Sequence, residues 1–152
     1  MVHICAYRPY YLIDRDVEAH YALLLQYKGN ACVFLEMLPG TDARNLLIGK
    51  LCFLHVNDFD SYEEFIIWSG RTNMFPRMQR FLDHIVLRDY HRYEFTESRS
   101  GARGWLLAII EDWTEVRLLS RPAYDEVAEV LEMDWVEPNL FRRLAIERGR
   151  FY

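Results

Sequence analysis

Two apolar runs on either side of a short polar segment restrict the fold most. The runs are ACVFLEML at 31–38 and LLIGKLCFLHV at 46–56, and PGTDARN separates them. Proline, glycine, aspartate and asparagine favour turns, so the pattern predicts two antiparallel strands joined in a hairpin. The second run is also long enough for a helix, which stays an alternative. VHICAY at 2–7, which Pro9 follows, predicts another strand.

Several other segments have apolar residues at intervals of three and four, the spacing of an amphipathic helix. In the first segment Tyr21, Leu24 and Leu25 follow this spacing, with Asp14 as the expected N-cap and Gly29 as the stop. The predicted helices span residues 14–28, 61–70, 74–89 and 121–133, and a last short helix starts at Pro138.

The region between 91 and 119 predicts three further strands. His91, Tyr93 and Phe95 alternate with polar residues, and WLLAIIE at 105–111 is a continuous apolar run typical of a central strand. EVRLL follows as the third strand. Strands and helices do not alternate regularly, which argues against a doubly wound βαβ sheet. The sequence therefore predicts an α+β fold with an antiparallel or mixed sheet and about five helices.

The size and composition of the chain favour one folded unit. It has 152 residues, 51% of them hydrophobic, and no linker rich in proline, glycine and serine. We therefore expect residues 1–152 to form a single compact domain. No segment approaches the roughly 20 apolar residues of a spanning helix, and no leader pattern opens the chain. Cys5, Cys32 and Cys52 are odd in number and widely spaced, so we expect buried, reduced thiols and a cytoplasmic location.

The segment 82–95 concentrates titratable side chains. It contains Asp83, His84, Asp89 and His91. Two histidines seven positions apart on a helix lie about 10 Å apart along its axis, too far for one ion whose nitrogen ligands lie about 2 Å away. A change to strand periodicity near His91 separates them further. The simpler interpretation is a positively charged helix end, which suits the helix dipole.

A second group of possible metal ligands could bind zinc only if the backbone were irregular. His3 and Cys5 are two apart on a strand and share a face, whereas Cys52 and His55 are three apart and do not. The paired C-x-x-C signature of a zinc site is absent from the sequence. Core cysteines are the favoured interpretation.

A third group is acidic and precedes a predicted helix. Asp58, Asp60, Glu63 and Glu64 lie around Ser61, and Ser61 with Glu64 matches the capping-box pattern. Capping accounts for the acids, although a divalent metal at Asp58, Asp60 and Glu63 stays an open alternative. No metal and no other cofactor is predicted.

Charge is sorted along the chain. Residues 71–110 hold seven arginines and four acidic residues, a net charge of +3, whereas 111–137 hold two arginines and nine acidic residues, a net charge of −7. The first block contains the predicted helix at 74–89. One face of this helix, here called the basic ridge, comprises Arg77, Arg80, His84 and Arg88. The second forms the acidic face of the helix that Ser120 is expected to cap, comprising Asp125, Glu126, Glu129 and Glu132, with Asp134 and Glu137 beyond it.

These two charged faces, with 15% aromatic residues, favour a protein-binding function without chemistry of its own. The expected class is a small inhibitor, adaptor or regulatory subunit that binds another protein through one or both faces. A second copy of the chain is one such partner, because opposite charges could pair across a homodimer. A mobile-element or phage-type inhibitor of a host nucleic-acid-binding complex is a special case. The net charge of −5 argues against general binding to nucleic acid.

Two alternatives remain from the sequence. A small hydrolase or transferase could hold a phosphorylated substrate with Arg77, Arg80 or Arg103 and move protons with Asp58 or His55. A sequence-selective nucleic-acid binder could use the basic ridge together with Arg99 and Arg103, which lie in the polar segment ESRSGARG.

Overall fold

Five antiparallel strands form the main sheet of the chain in a computed structural model. The structure describes residues 1–7, 19–40, 48–72, 78–96, 101–137 and 140–152. The strands are β1 (Val2–Tyr7), β2 (His20–Lys28), β3 (Ala31–Pro39), β4 (Gly49–Val56) and β5 (Ile66–Gly70). Their order across the sheet is β4-β3-β2-β1-β5.

The predicted hairpin and the first strand are confirmed. β3 and β4 pair antiparallel along eight positions, for example Val33 opposite His55 and Leu35 opposite Phe53. Residues 41–45 of the polar turn predicted between them lie outside the described residues. β1 covers VHICAY and lies between β2 and β5.

The helix predicted at 14–28 is wrong over its described part. His20–Lys28 is a central strand, and Asp14 lies outside the described residues. The side chains of β2 are buried on both faces of the sheet: Tyr21, Leu23 and Leu25 enter one core, and Ala22 and Leu24 enter another. A run that is apolar at every position satisfies helical spacing as easily as strand spacing. Gly29, with φ of 53°, turns the chain from β2 into β3.

The central strand predicted at 105–111 is also wrong. Residues Ala102–Glu115 form helix α2, and ten of its fourteen residues are buried, so it is apolar on nearly every side. The EVRLL strand is replaced by the end of α2 and a turn, with one bridge between Leu119 and Thr72. Of the expected three strands only Tyr93–Glu94 remains, as the two-residue β6.

The other predicted helices are confirmed in part. Helix α1 (Met78–Leu87) lies within the predicted 74–89, and α3 (Ala123–Leu131) lies within 121–133. The N-cap of α3 is Pro122, not Ser120, and no side chain caps it.

At the two remaining positions strands occupy part of the segments that were expected to be helical. A 3-10 helix at Phe59–Phe65 leads into β5 in place of the helix at 61–70. Beyond Pro138, which is not described, Leu140–Arg143 forms strand β8, which pairs with β7 (Met133–Glu137). The described residues thus contain four helices, rather than about five, in a single compact α+β domain. Not one of these four is long and apolar enough to cross a membrane.

The sheet separates two clusters of buried side chains. Helix α2 covers one face, where α1 and α3 complete the larger cluster, and the 3-10 helix covers the other face with Phe59. The Phe81 ring of α1 meets the Trp113 ring of α2 edge-on, with centroids 4.7 Å apart. The chain closes with β9 (Arg150–Phe151), which pairs with β6.

Arg103 ties the helical layer to the C-terminal segment. Its side chain is buried with 1% exposure in the first turn of α2, and Nη1 donates to the carbonyls of Leu131 at 2.7 Å and Leu144 at 2.8 Å. Nη2 donates to the Ala145 carbonyl at 3.0 Å. Arg103, which was expected to hold phosphate from a loop, is therefore a buried side chain that connects α2, the end of α3 and residues 144–145.

We expect Arg103→Met to lower the free energy of unfolding by about 3 kcal/mol, because it leaves the buried Leu131 carbonyl and two partly buried carbonyls without this donor. Urea denaturation followed by tryptophan fluorescence measures the change. Arg80→Met, at an exposed arginine of α1, is the control and should change stability by less than about 0.5 kcal/mol. Equal effects of the two substitutions would contradict the role of Arg103.

Candidate functional site

The second and third candidate metal groups contain side chains that already have partners. His3 Nδ1 is 2.8 Å from Ser69 Oγ, and its Nε2 is 3.2 Å from Gln26 Oε1. Asp58 Oδ2 accepts a hydrogen bond from Ser61 Oγ at 2.5 Å. Asp60 Oδ2 accepts from the Asn30 amide at 2.9 Å. Across the described ranges, no three His, Cys, Asp or Glu side chains gather as a metal-binding group.

The expected capping by Ser61 is wrong. The N-cap position of the 3-10 helix is Asp58, and no side chain makes a capping hydrogen bond there. The Ser61 hydroxyl instead donates backwards to Asp58. The acidic cluster therefore surrounds the entry to the 3-10 helix without capping it.

The three cysteines are free thiols. Cys5 and Cys32 are buried as expected, whereas Cys52 on β4 is half-buried. Burial raises the pKa of the Cys5 thiol to about 12, and the neighbouring Cys32 adds to the shift. Burial also raises the pKa of Cys32. Because the thiolate is the reactive form, Cys5 is a core side chain and not a nucleophile at neutral pH.

The basic ridge is partly neutralised from within the protein. His84 Nε2 is hydrogen-bonded to Asp112 Oδ2 of α2, and Arg88 Nη2 lies 3.6 Å from Asp112 Oδ1. Burial raises the pKa of the Tyr90 hydroxyl, and its hydrogen bond with Asp112 raises the pKa further. Arg80 is exposed, and Arg77 lies outside the described residues. The ridge thus anchors α1 to α2 as well as facing solvent.

Asp112 was missed by sequence reasoning. It is 28 positions from His84, and it directly follows the apolar run 105–111, for which the sequence predicts a strand. The signal in the sequence is its position next to Trp113. In the structure Trp113 is buried and contacts Phe81 of α1, so a helix predicted at 102–115 would have placed Asp112 near α1.

The acidic face is confirmed as an exposed helix surface at Asp125, Glu126, Glu129 and Glu132. One member has an internal contact, because Glu126 Oε2 accepts from Trp68 Nε1 at 3.1 Å.

Asp134 is not part of this surface, contrary to expectation. It is fully buried, and its Oδ1 accepts from the Ala19 amide at 3.1 Å and from the Tyr21 hydroxyl at 3.3 Å. The carboxylate therefore fastens β7 to the start of β2.

A polar cluster on the second face of the sheet was also missed. The Tyr7 hydroxyl donates to Glu36 Oε1 at 2.6 Å, and His20 Nδ1 is 3.0 Å from the same oxygen. A buried carboxylate that orients an imidazole is a geometry that general bases use. Its members sit on three different strands, so spacing along the chain gives no signal for it. In this structure the cluster links β1, β2 and β3.

The outer edge of β4 is the most distinctive described surface. β4 pairs with β3 on one side, and on its other side β6 contacts the start of the strand, where Ile48 and Glu94 form a bridge; the described residues show no strand paired along the rest of that edge. Phe53 and Leu54 are each 54% exposed and point to opposite faces. β5, at the other edge, is shorter, has an irregular register against β1 and contacts α3.

These features define an α+β domain with two charged helix faces and one apolar sheet edge that is open in the described residues. The chain belongs to the family described as Domain of unknown function (DUF7770), which matches residues 2–152. No curated protein and no solved structure matches the chain significantly.

We expect Asp112→Asn to loosen α1, because the buried carboxylate shared by His84 and Arg88 is lost. Stability should fall by about 1–3 kcal/mol, and amide exchange in α1 should accelerate more than in β2. Glu111→Gln, next to it on α2, is the matched control. Unchanged exchange in α1 would show that Asp112 does not hold the helix.

His3 should make folding sensitive to mild acid. Burial lowers the pKa of His3, and the N-terminal ammonium also lowers it, while the Gln26 contact opposes the shift. The unfolded chain then binds a proton near pH 6.5, where folded His3 does not, so stability falls as the pH drops through this value. Between about pH 7.5 and about pH 5.5, His3→Gln should lose less unfolding free energy than the wild type. His91→Gln, at an exposed histidine, should follow the wild type in urea denaturation at both pH values.

Proposed function

We propose that the chain is a small protein-binding regulator, an inhibitor, adaptor or regulatory subunit, that associates through the β4 edge. The observation that carries the proposal is the pair of exposed apolar residues, Phe53 and Leu54, on an edge strand of eight residues. Edge strands offer main-chain donors and acceptors to an added strand, and alternate side chains supply specificity.

The surroundings of the edge favour a partner that contacts both faces of the sheet. On the side of the larger core, Phe53 stands near exposed His55, which contacts the Tyr27 ring across β3. On the opposite side, Leu54 lies across from Phe34, which contacts Tyr62 of the 3-10 helix. An added strand would therefore extend apolar surface on both sides.

The two charged faces serve in this proposal to steer and orient the partner. Exposed Asp125, Glu129 and Glu132 supply negative charge, and Arg80 with Arg88 supplies positive charge at a different helix. Segregated charge of this kind raises association rates and disfavours wrong partners more than it adds affinity. The free thiols support a reducing, cytoplasmic setting for the complex.

We expect the double variant Phe53→Lys/Leu54→Lys to lose the binding partner while remaining folded. Affinity purification with identification by mass spectrometry compares it with the wild type, and denaturation curves check that both are folded. Val86→Lys/Leu87→Lys is the matched control, because these apolar residues are 65% and 79% exposed but belong to α1 and not to the sheet. A partner that survives the β4 changes and is lost with the α1 changes would contradict the proposal.

A further inference from the structure

We infer that the partner at the β4 edge is a second copy of the chain, paired antiparallel about a two-fold axis at Leu54. This inference rests on the proposed function and names its partner. A strand added to β4 must be apolar on both faces to cover Phe53 and Leu54 together. β4 itself is such a strand, with Leu51, Phe53 and His55 on one face and Cys52, Leu54 and Val56 on the other.

The charges of the strand select the register. In a two-fold antiparallel pair, residue numbers that face each other sum to a constant. With the axis at Leu54, Lys50 faces Asp58 of the second copy, and this ion pair occurs at both ends of the interface. Both side chains are exposed, and Asp58 lies two residues beyond the end of β4, with φ of −140° and ψ of 58°.

The same axis also pairs the uncharged side chains with suitable neighbours in the second copy. Phe53 faces His55 of the second copy on one side of the sheet, and Cys52 faces Val56 on the other. Moving the axis to Phe53 would set Lys50 against Val56 and leave the cation without an acid. Moving it to His55 would set Lys50 against Asp60, which lies in the 3-10 helix, and would set Phe53 against Asn57. The Leu54 axis is the one of the three that pairs both charge with charge and ring with ring.

The resulting assembly is closed. Two five-stranded sheets joined at β4 would form one continuous sheet whose outer edges are both β5. β5 has five residues, and its pairing with β1 shifts register between Ile4 and Cys5. Short, irregular edge strands resist further pairing, so association should stop at a dimer.

A disulfide experiment tests the register directly. Residues that face each other across antiparallel strands have Cα atoms about 4.5–5.5 Å apart, within the range that a disulfide spans. We expect Leu54→Cys, in a Cys52→Ala background, to form a covalent dimer under mild oxidation, seen by non-reducing electrophoresis and intact mass. Phe53→Cys in the same background is the control, because its two copies would lie diagonally, about 7–8 Å apart. Preferential linkage through Phe53→Cys would overturn the Leu54 axis.

A charge exchange tests the proposed ion pairs without oxidation. Lys50→Glu should weaken the dimer by about tenfold, and adding Asp58→Lys should restore most of the affinity. Analytical ultracentrifugation over a range of concentrations measures both effects. A double variant as weak as the single variant would overturn the pairing of these two residues.

The inference and the proposed function fail in different ways. A wild-type chain that stays monomeric, yet captures another protein through Phe53 and Leu54, overturns the second copy and leaves the function standing. A monomer that captures nothing overturns both. A dimer that persists in Phe53→Lys/Leu54→Lys and is not linked through Leu54→Cys shows that association uses another surface, and also overturns the inference.

Discussion

The buried guanidinium of Arg103 is the contact on which the arrangement of helices depends most. A cation in the first turn of a helix is opposed by the helix dipole, and burying it costs several kcal/mol unless its donors are matched. Three carbonyls, from the end of α3 and from residues 144 and 145, match them. The same helix covers the sheet and receives α1 through Asp112. The position of α2 thus couples the sheet, the other two α-helices and the C-terminal segment.

The elements that the sequence predicted correctly are helices that keep one face in solvent and strands that turn-forming residues bound. α1 and α3 expose one side, and the β3–β4 hairpin is interrupted by turn-forming residues, so each pattern had a contrast to detect. β2 and α2 are buried on nearly all sides and were assigned the wrong way round. Uniformly apolar segments carry no period, and their conformation is decided by the neighbours that cover them.

The charged residues also divide into those that a sequence pattern predicts and those that only the tertiary structure shows. The acidic face of α3 could be predicted because its exposed residues are spaced along one helix. Asp112 and Asp134 could not, because their partners are distant along the chain: His84 is 28 positions away from the first, and Ala19 is 115 positions away from the second. The sequence does not show whether a carboxylate is exposed to solvent or buried. A buried carboxylate needs hydrogen-bond donors, and only the tertiary structure shows which acidic residues have them.

The contrast between the two edges of the main sheet supports an associating role for β4. Proteins usually protect edge strands by making them short, irregular or charged, since an unprotected edge invites pairing with other chains. β5 has the first two of these features. β4 is regular over eight positions, and it contains a single aspartate, glutamate, lysine or arginine, Lys50 near its start. Since one sheet carries both kinds of edge, lack of protection is not a general property of this fold, and the apolar edge that is open in the described residues supports the proposal that a partner strand binds there.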